Sequence, residues 1–243
     1  MTQPLLTLKD VSFNVGGRAL LRDINLTISH GEKVALVGAN GAGKSSLLKV
    51  IAGLHSRYSG SVKIEGREMK VLSPRERSRL VSLVLQRLPF VPRFTVREFL
   101  ELSELGDLSD LDLTVTGLLD RHLCDLSGGE LQRVVLVGAV AQRAKLVLLD
   151  EPTAHLDPTG RSEVERILQR YHNEKSISYL LVTHDIALAT RLAERIIMMR
   201  QGTIVWDGSV TDEALPSMLK EVYGCPFTKV AHPSTGESII IPG

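Results

Sequence analysis

Cysteine is scarce in this chain of 243 residues, with only Cys124 and Cys225, far apart and in no metal-spaced pair. No framework of bridges is there to read, so a reducing cytosol is the expected setting. Charge of one sign is missing too. The 29 Lys+Arg stand against 28 Asp+Glu, a formal net charge of +1, and nothing in that balance favours nucleic acid as a partner. No uncharged apolar run reaches the ~18–20 residues that span a bilayer. The N-terminal stretch 1–10 lacks a charged region followed by an apolar core, so no secretory leader is expected. Internal repeats and low-complexity linkers are absent. What is present is a 43% hydrophobic fraction on a chain long enough to bury its own core without a disulfide or metal staple.

The apolar runs place the elements. Residues 5–15 and 20–28 read as two strands around the turn Gly16-Gly17. Residues 33–37 are a short apolar run of the kind buried on both faces of a parallel sheet. It leads into a glycine-rich segment and a helix that closes at Gly53. Strands are expected at 61–64, 81–85, 146–149, 179–182 and 196–199, and helices from Pro74, over 131–141, from Asp157-Pro158 to about 171, and over 186–193. Between residue 87 and about 125, Pro89 and Pro92 break the chain and leucine-rich amphipathic segments follow, a helical insertion. Strands alternating with helices predict a mainly parallel α/β sheet. A single domain over 1–243 is expected, with 1–86 and 134–243 as the catalytic core and 87–133 as the helical part.

Three segments carry chemistry. Gly38-Ala39-Asn40-Gly41-Ala42-Gly43-Lys44-Ser45, followed by Ser46, fits G-x-x-x-x-G-K-[ST] between a predicted strand and a predicted helix. Its glycines turn successive N–H groups inward, and the helix adds its positive end to the same point. In that pattern Lys44 neutralises β- and γ-phosphate charge and Ser45 ligates Mg²⁺. Next, Asp150-Glu151-Pro152 ends the hydrophobic strand 146–149, at the sheet edge where open α/β folds bind ligands. Asp150 is expected to orient Mg²⁺ and Glu151 to polarise the attacking water, although Asp-Glu-Pro alone is also a plausible turn. Last, Ser127-Gly128-Gly129-Glu130 opens a helix and reads as a second anion-binding helix end, or as a linker or ordinary N-cap.

Taken in order, the phosphate loop, LSGGELQR and LVLLDEPTAHLD resemble the nucleotide-binding subunit of ATP-binding-cassette (ABC) transporters over essentially the whole chain. The resemblance implies the ABC type of P-loop fold: a mainly parallel core sheet, an antiparallel β subdomain and a helical insertion. It implies an ATPase that uses ATP with Mg²⁺. Gln86 resembles the Q-loop glutamine that contacts Mg²⁺ or the attacking water. Leu156 and Asp157 fall in a D-loop that touches the partner copy. His184 resembles the switch histidine, its alternative being a residue at a helix N-terminus. The family further implies a head-to-tail homodimer in which each ATP lies between one P-loop and the partner's Ser127–Glu130 turn. Integral membrane permease subunits and a substrate-binding protein are the implied partners, at the cytoplasmic face of the inner membrane. The apolar stretch 88–94 either lines the permease-docking groove or tucks into its own subdomain.

One family position departs. Where an aromatic residue usually stacks on adenine, this chain carries Val15, with Phe13 two residues earlier on the same strand face as the expected substitute. The tail beyond residue 219 reads as a helix end and a hairpin, similar to the tails of ATPases serving siderophore, haem and cobalamin importers. An exporter or lipid-release ATPase and a non-transport ABC protein are the competing readings.

Overall fold

The computed structural model describes residues 3–88, 90–102, 112–231 and 238–243. Its central layer is built from short apolar runs. Strands β3 (Lys33–Val37), β6 (Val81–Val84), β7 (Leu146–Asp150), β8 (Ser178–Val182) and β9 (Arg195–Arg200) run parallel in the order β9-β3-β8-β7-β6, with β10 (Thr203–Ser209) antiparallel on the β9 edge. Every residue of β7 and β8 is buried, as expected of strands covered on both faces.

A second, antiparallel sheet carries β1 (Leu6–Val15), β2 (Arg18–Ile28), β4 (Tyr58–Ile64) and β5 (Arg67–Glu68) in the order β2-β1-β4-β5. The turn between β1 and β2 is Gly16-Gly17 with both φ angles positive, the backbone that lets a two-residue hairpin match strand twist. Helix α1 (Lys44–Ile51) is enclosed by the two sheets, and its fully buried Leu47, Leu48 and Ile51 join a core drawn from both. Each such side chain contributes about 1.5–3 kcal/mol by leaving water.

On the other face, α5 (Gly128–Ala141), α6 (Pro158–Lys175) and α7 (Ile186–Leu192) cover Val147, Leu149, Tyr179 and Leu181. A third core joins Val37 and Met198 to α8 (Leu215–Tyr223) and to Ile240 of β12 (Ser238–Pro242), which pairs with β11 (Phe227–Ala231). The expected C-terminal hairpin is therefore present, with its connection at 232–237 outside the described residues.

The expected helical insertion is present, while the reading of Phe13 changes. The insertion holds short helices, α3 (Val96–Leu102) and α4 (Leu113–Thr116), with Pro89 and residues 103–111 outside the described residues. Buried Asp112 ties this segment to α6 by accepting Arg166 at 3.0 Å and Arg170 at 3.4 Å. The boundary expected between residues 133 and 134 falls inside α5, which runs unbroken because its capped start lies at Ser127. Phe13 and Val15 do not share an environment. The register shifts on both sides of Phe13, which turns its ring into the core while Val15 stays 52% exposed. The remaining short helix α2 (Pro74–Leu80) starts at Pro74, as its sequence indicates, behind a Ser73–Glu76 capping box.

Candidate active site

The strand order brings the chemistry-bearing segments together: β3 leads into the phosphate loop, β6 into Gln86, β7 into Asp150-Glu151 and β8 into Thr183-His184. All lie at the carboxyl edge of one parallel sheet.

The phosphate loop is locked to its neighbours by glycine. Gly38 has φ +147°, and a Cβ there would meet the Met199 carbonyl oxygen at 2.2 Å. Gly43, with φ +105°, would meet the Leu20 carbonyl at 2.6 Å. Lys44 is buried and donates from Nζ to the carbonyls of Gly38 (2.6 Å) and Ala39 (3.1 Å). Burial lowers its pKa below the ordinary 10.5, against the opposing pull of Glu151 and Asp150. The helix behind it starts at Gly43 with no side chain capping it and no acid in its first turn. Its amides are left for an anion.

Asp150 and Ser45, the two residues expected at Mg²⁺, lie side by side. Ser45 Oγ donates to Asp150 Oδ1 at 3.1 Å. Burial pushes the Asp150 carboxyl above its usual 3.8, partly offset by the Ser45 hydrogen bond, with the Glu151 charge adding to the rise. The hydroxyl and carboxylate are hard oxygen donors of the kind Mg²⁺ takes beside phosphate oxygens and water.

Glu151 stands just beyond β7 with φ +50°, a left-handed backbone that costs a non-glycine residue about 1–2 kcal/mol. Its N–H donates to the Val182 carbonyl at 2.9 Å, which fixes the turn. The carboxylate faces two other candidate site residues at once: Gln86 Nε2 donates to Oε2 at 3.1 Å, and His184 Nε2 lies 2.5 Å from Oε1. The latter contact needs a proton on one of the two groups. Asp150 and Glu151 therefore face different tasks, through a turn at the strand end as well as strand alternation.

Sequence reasoning missed several residues here. A cavity of about 320 Å³ follows Asn40–Ser46 and is closed by Gln86 and Glu151, and Arg18 and Leu20 also line it. Among the described residues the exposed Arg18 side chain has no hydrogen-bond or ion-pair partner. Phe13 is 5% exposed and stacks on His55 at 4.7 Å, so its ring is covered and unavailable as an adenine platform. Arg87 Nη2 lies 3.2 Å from His155 Nε2, linking the segment after Gln86 to the one after Glu151. Gly38 N–H donates to Tyr223 Oη at 2.9 Å, across 185 residues that no spacing rule connects. A larger cavity of about 800 Å³, lined by His30, Arg143, Lys145 and Lys175, lies where β8 begins, and none of the motif residues line it.

The second glycine-led helix end looks different. Ser127 caps α5, accepting from Glu130 N–H at 3.3 Å, while Glu130 accepts from Ser127 N–H at 2.7 Å. The backbone and side-chain bonds from Ser127 hold the Glu130 carboxyl below its ordinary range, helped by Arg121 at 2.9 Å. Leu156 is the neighbour a Cβ on Gly129 would meet, at 3.8 Å, and Asp157 caps α6 by accepting from Gly160 N–H at 2.7 Å. None of Ser127, Gly128, Gly129 or Glu130 lines the phosphate-loop cavity.

Comparisons with known proteins agree with this geometry. The family model described as ABC transporter matches residues 21–154. The Hemin import ATP-binding protein HmuV of Rhodococcus jostii (strain RHA1) is 34% identical over 241 residues, spanning 93% of this chain and 82% of that protein. The Iron(3+)-hydroxamate import ATP-binding protein FhuC of Bacillus subtilis (strain 168) is 29% identical over 252 residues, spanning 97% of this chain and 94% of that protein. A solved structure described as the ATP binding subunit of an ABC transporter superposes with a TM-score of 0.79 at 26% identity, covering 90% of this chain and 98% of the other.

Proposed function

The chain belongs to the ABC transporter family and hydrolyses ATP, and from that premise we propose that it drives uptake of a metal chelate or cobalamin through separate membrane permease subunits. The relatives named for hemin and iron-hydroxamate import support this cargo class, as does the tail of α8 followed by a hairpin. No helix among the described residues is long and apolar enough to cross a membrane, which is consistent with a peripheral subunit at the cytoplasmic face of the inner membrane. A substrate-binding protein completes the proposed system.

The observation that carries the mechanism is the separation of the two helix ends. Within one chain, the amides of the Ser127–Glu130 turn, the family's signature turn, stand outside the cavity that Lys44 and Ser45 line. A triphosphate gripped by the phosphate loop meets Ser127 and Gly129 when a second copy stacks head to tail, which gives two equivalent composite sites. In the empty chain Ser127 Oγ accepts from Glu130 N–H and its proton bonds the Glu130 carboxylate, so the hydroxyl turns from that carboxylate to donate to a γ-phosphate oxygen. Glu151 takes the proton of the attacking water, and Gln86 and His184 hold its carboxylate in place. His184 and Lys44 then stabilise charge on the transferred group. Ser45 and Asp150, with Gln86, would hold Mg²⁺, which when bound supplies neutralising positive charge beside the phosphates. Cleavage removes the bridging γ-phosphate, and the closed pair loses the contacts that favoured it.

Delivery of that motion needs a docking surface beside Gln86. Phe90 is 72% exposed and Phe94 40% exposed. A groove of about 390 Å³ runs between the end of α1 and α2, lined by Leu54, Pro74, Arg77 and Leu83. These apolar surfaces suit a short helix from a permease. The test is reconstitution in vesicles with the membrane permease that co-purifies with the tagged chain and a substrate-binding protein. ATP-dependent accumulation of haem, a ferric hydroxamate or cobalamin is expected. ATP-driven extrusion, or transport of none of the three, would overturn the cargo assignment.

A further inference from the structure

Gly38 opens the phosphate loop and is held at both ends of its backbone. Its N–H donates to Tyr223 Oη at 2.9 Å, and its carbonyl accepts from Lys44 Nζ at 2.6 Å. Its Cα faces the Met199 carbonyl closely enough that no side chain fits there. These holds differ in permanence. Lys44 is the residue that must turn toward phosphate, and in doing so it gives up the Gly38 and Ala39 carbonyls. Tyr223 has no such second duty.

The phenol itself is placed by a rigid unit. Tyr223 is the last residue of α8, which closes at Gly224 in the left-handed conformation. Its ring packs 5.7 Å from that of Phe227, the first residue of β11. Leu215 and Leu219 of the same helix are fully buried in the core cluster that also holds Val37 and Met198, the residues just before Gly38 and Met199. Burial raises the Tyr223 pKa, so the hydroxyl keeps its proton at neutral pH and meets the Gly38 N–H as an acceptor.

We infer that Tyr223 is a positioning residue for ATP: it fixes the Gly38 peptide so that the later amides of the loop converge on the phosphates once Lys44 has let go. The C-terminal helix and hairpin, which carry no motif, thereby become part of the nucleotide machinery. This goes beyond the transport assignment and rests only on ATP binding at the phosphate loop, whatever the cargo.

The experiment compares the full chain with Tyr223→Phe and Tyr223→Leu, using a fluorescent ATP analogue, steady-state hydrolysis and thermal unfolding without nucleotide. Tyr223→Phe removes one hydroxyl and keeps the ring. Its Kd and KM should rise about three- to tenfold, the range expected for one hydrogen bond. Its kcat at saturating ATP should stay within about twofold, and its unfolding midpoint within about 2 °C of the parent. Tyr223→Leu should share the affinity loss and also unfold earlier, because the contact with Phe227 is gone. Parental affinity in Tyr223→Phe would overturn the inference. So would a lower kcat at unchanged KM, or an affinity loss accompanied by an equally destabilised empty chain.

Discussion

Helices α1 and α5 both begin at glycines, and both point their positive ends out of the fold, yet one end is open and the other closed. At α1 no side chain caps the amides, no acid sits in the first turn, and a buried lysine waits on backbone carbonyls. At α5 Ser127 and Glu130 satisfy each other, and Arg121 braces the carboxylate. The open end has to take a highly charged ligand and is incomplete without it. The closed end is satisfied alone, which suits the partner-facing role proposed for it. Satisfied and unsatisfied caps thus separate two similar sequences into an open anion site and, in the proposed dimer, a partner-facing contact.

Three changes sharpen that contrast. The largest effect is expected from Glu151→Gln, which leaves both helix ends intact and removes the base. Hydrolysis should fall about 10²–10⁴-fold while ATP still binds. The protein should accumulate as a nucleotide-bound dimer, read by light scattering together with phosphate release. Monomers with ATP bound would separate the two ends functionally and break the comparison.

Next comes the carboxylate beside the open end. The Asp150 pKa is raised by burial, so the stability it contributes is fully present below its ordinary 3.8 and is lost as pH rises through the raised value. At neutral pH the ionised carboxylate therefore costs the empty chain stability. Asp150→Asn should raise the unfolding midpoint at neutral pH, flatten its decline above about pH 4 and slow hydrolysis by less than Glu151→Gln does. A lower midpoint in calorimetry at pH 7 would contradict that sign.

The smallest effect concerns the closed end. Ser127→Ala removes the cap of α5 and should cost about 1 kcal/mol in denaturant unfolding. ATP affinity of the isolated chain should stay unchanged, because Ser127 does not line the loop cavity. Weaker ATP binding in that variant would place the turn inside the primary site.

How much of this was legible from the sequence depends on how local each signal is. The phosphate loop, Asp150 and Glu151 are contiguous motifs, and Gln86 and His184 follow their strands directly, so parallel strand order alone unites them. The pairing of Ser45 with Asp150 needed only that order. Phe13 misled because strand alternation assumes an unbroken ladder, and the register shifts around it turn its ring inward. The 133/134 boundary was drawn at a motif edge, which is not an element edge: the cap at Ser127 starts a helix that crosses it. Glu151's left-handed backbone, the Arg87–His155 link and the Tyr223–Gly38 bond carry no short-range signature. The two contacts join segments that only the folded sheet edge brings together.

The central claim is that one ATP is held by the open end of one copy and the closed end of another. Mixing two inactive variants tests it most directly: Lys44→Ala, without the primary grip, and Gly129→Asp, which sets a carboxylate against the γ-phosphate. The second should fold, since a Cβ at Gly129 meets nothing nearer than Leu156 at 3.8 Å. Mixed dimers contain one intact site, formed by the phosphate loop of the Gly129→Asp copy and the signature turn of the Lys44→Ala copy. An equimolar mixture should recover roughly a quarter of parental hydrolysis, because half the dimers are mixed and each has one working site of two. A mixture no more active than the sum of its parts would show that each chain cleaves ATP without its neighbour.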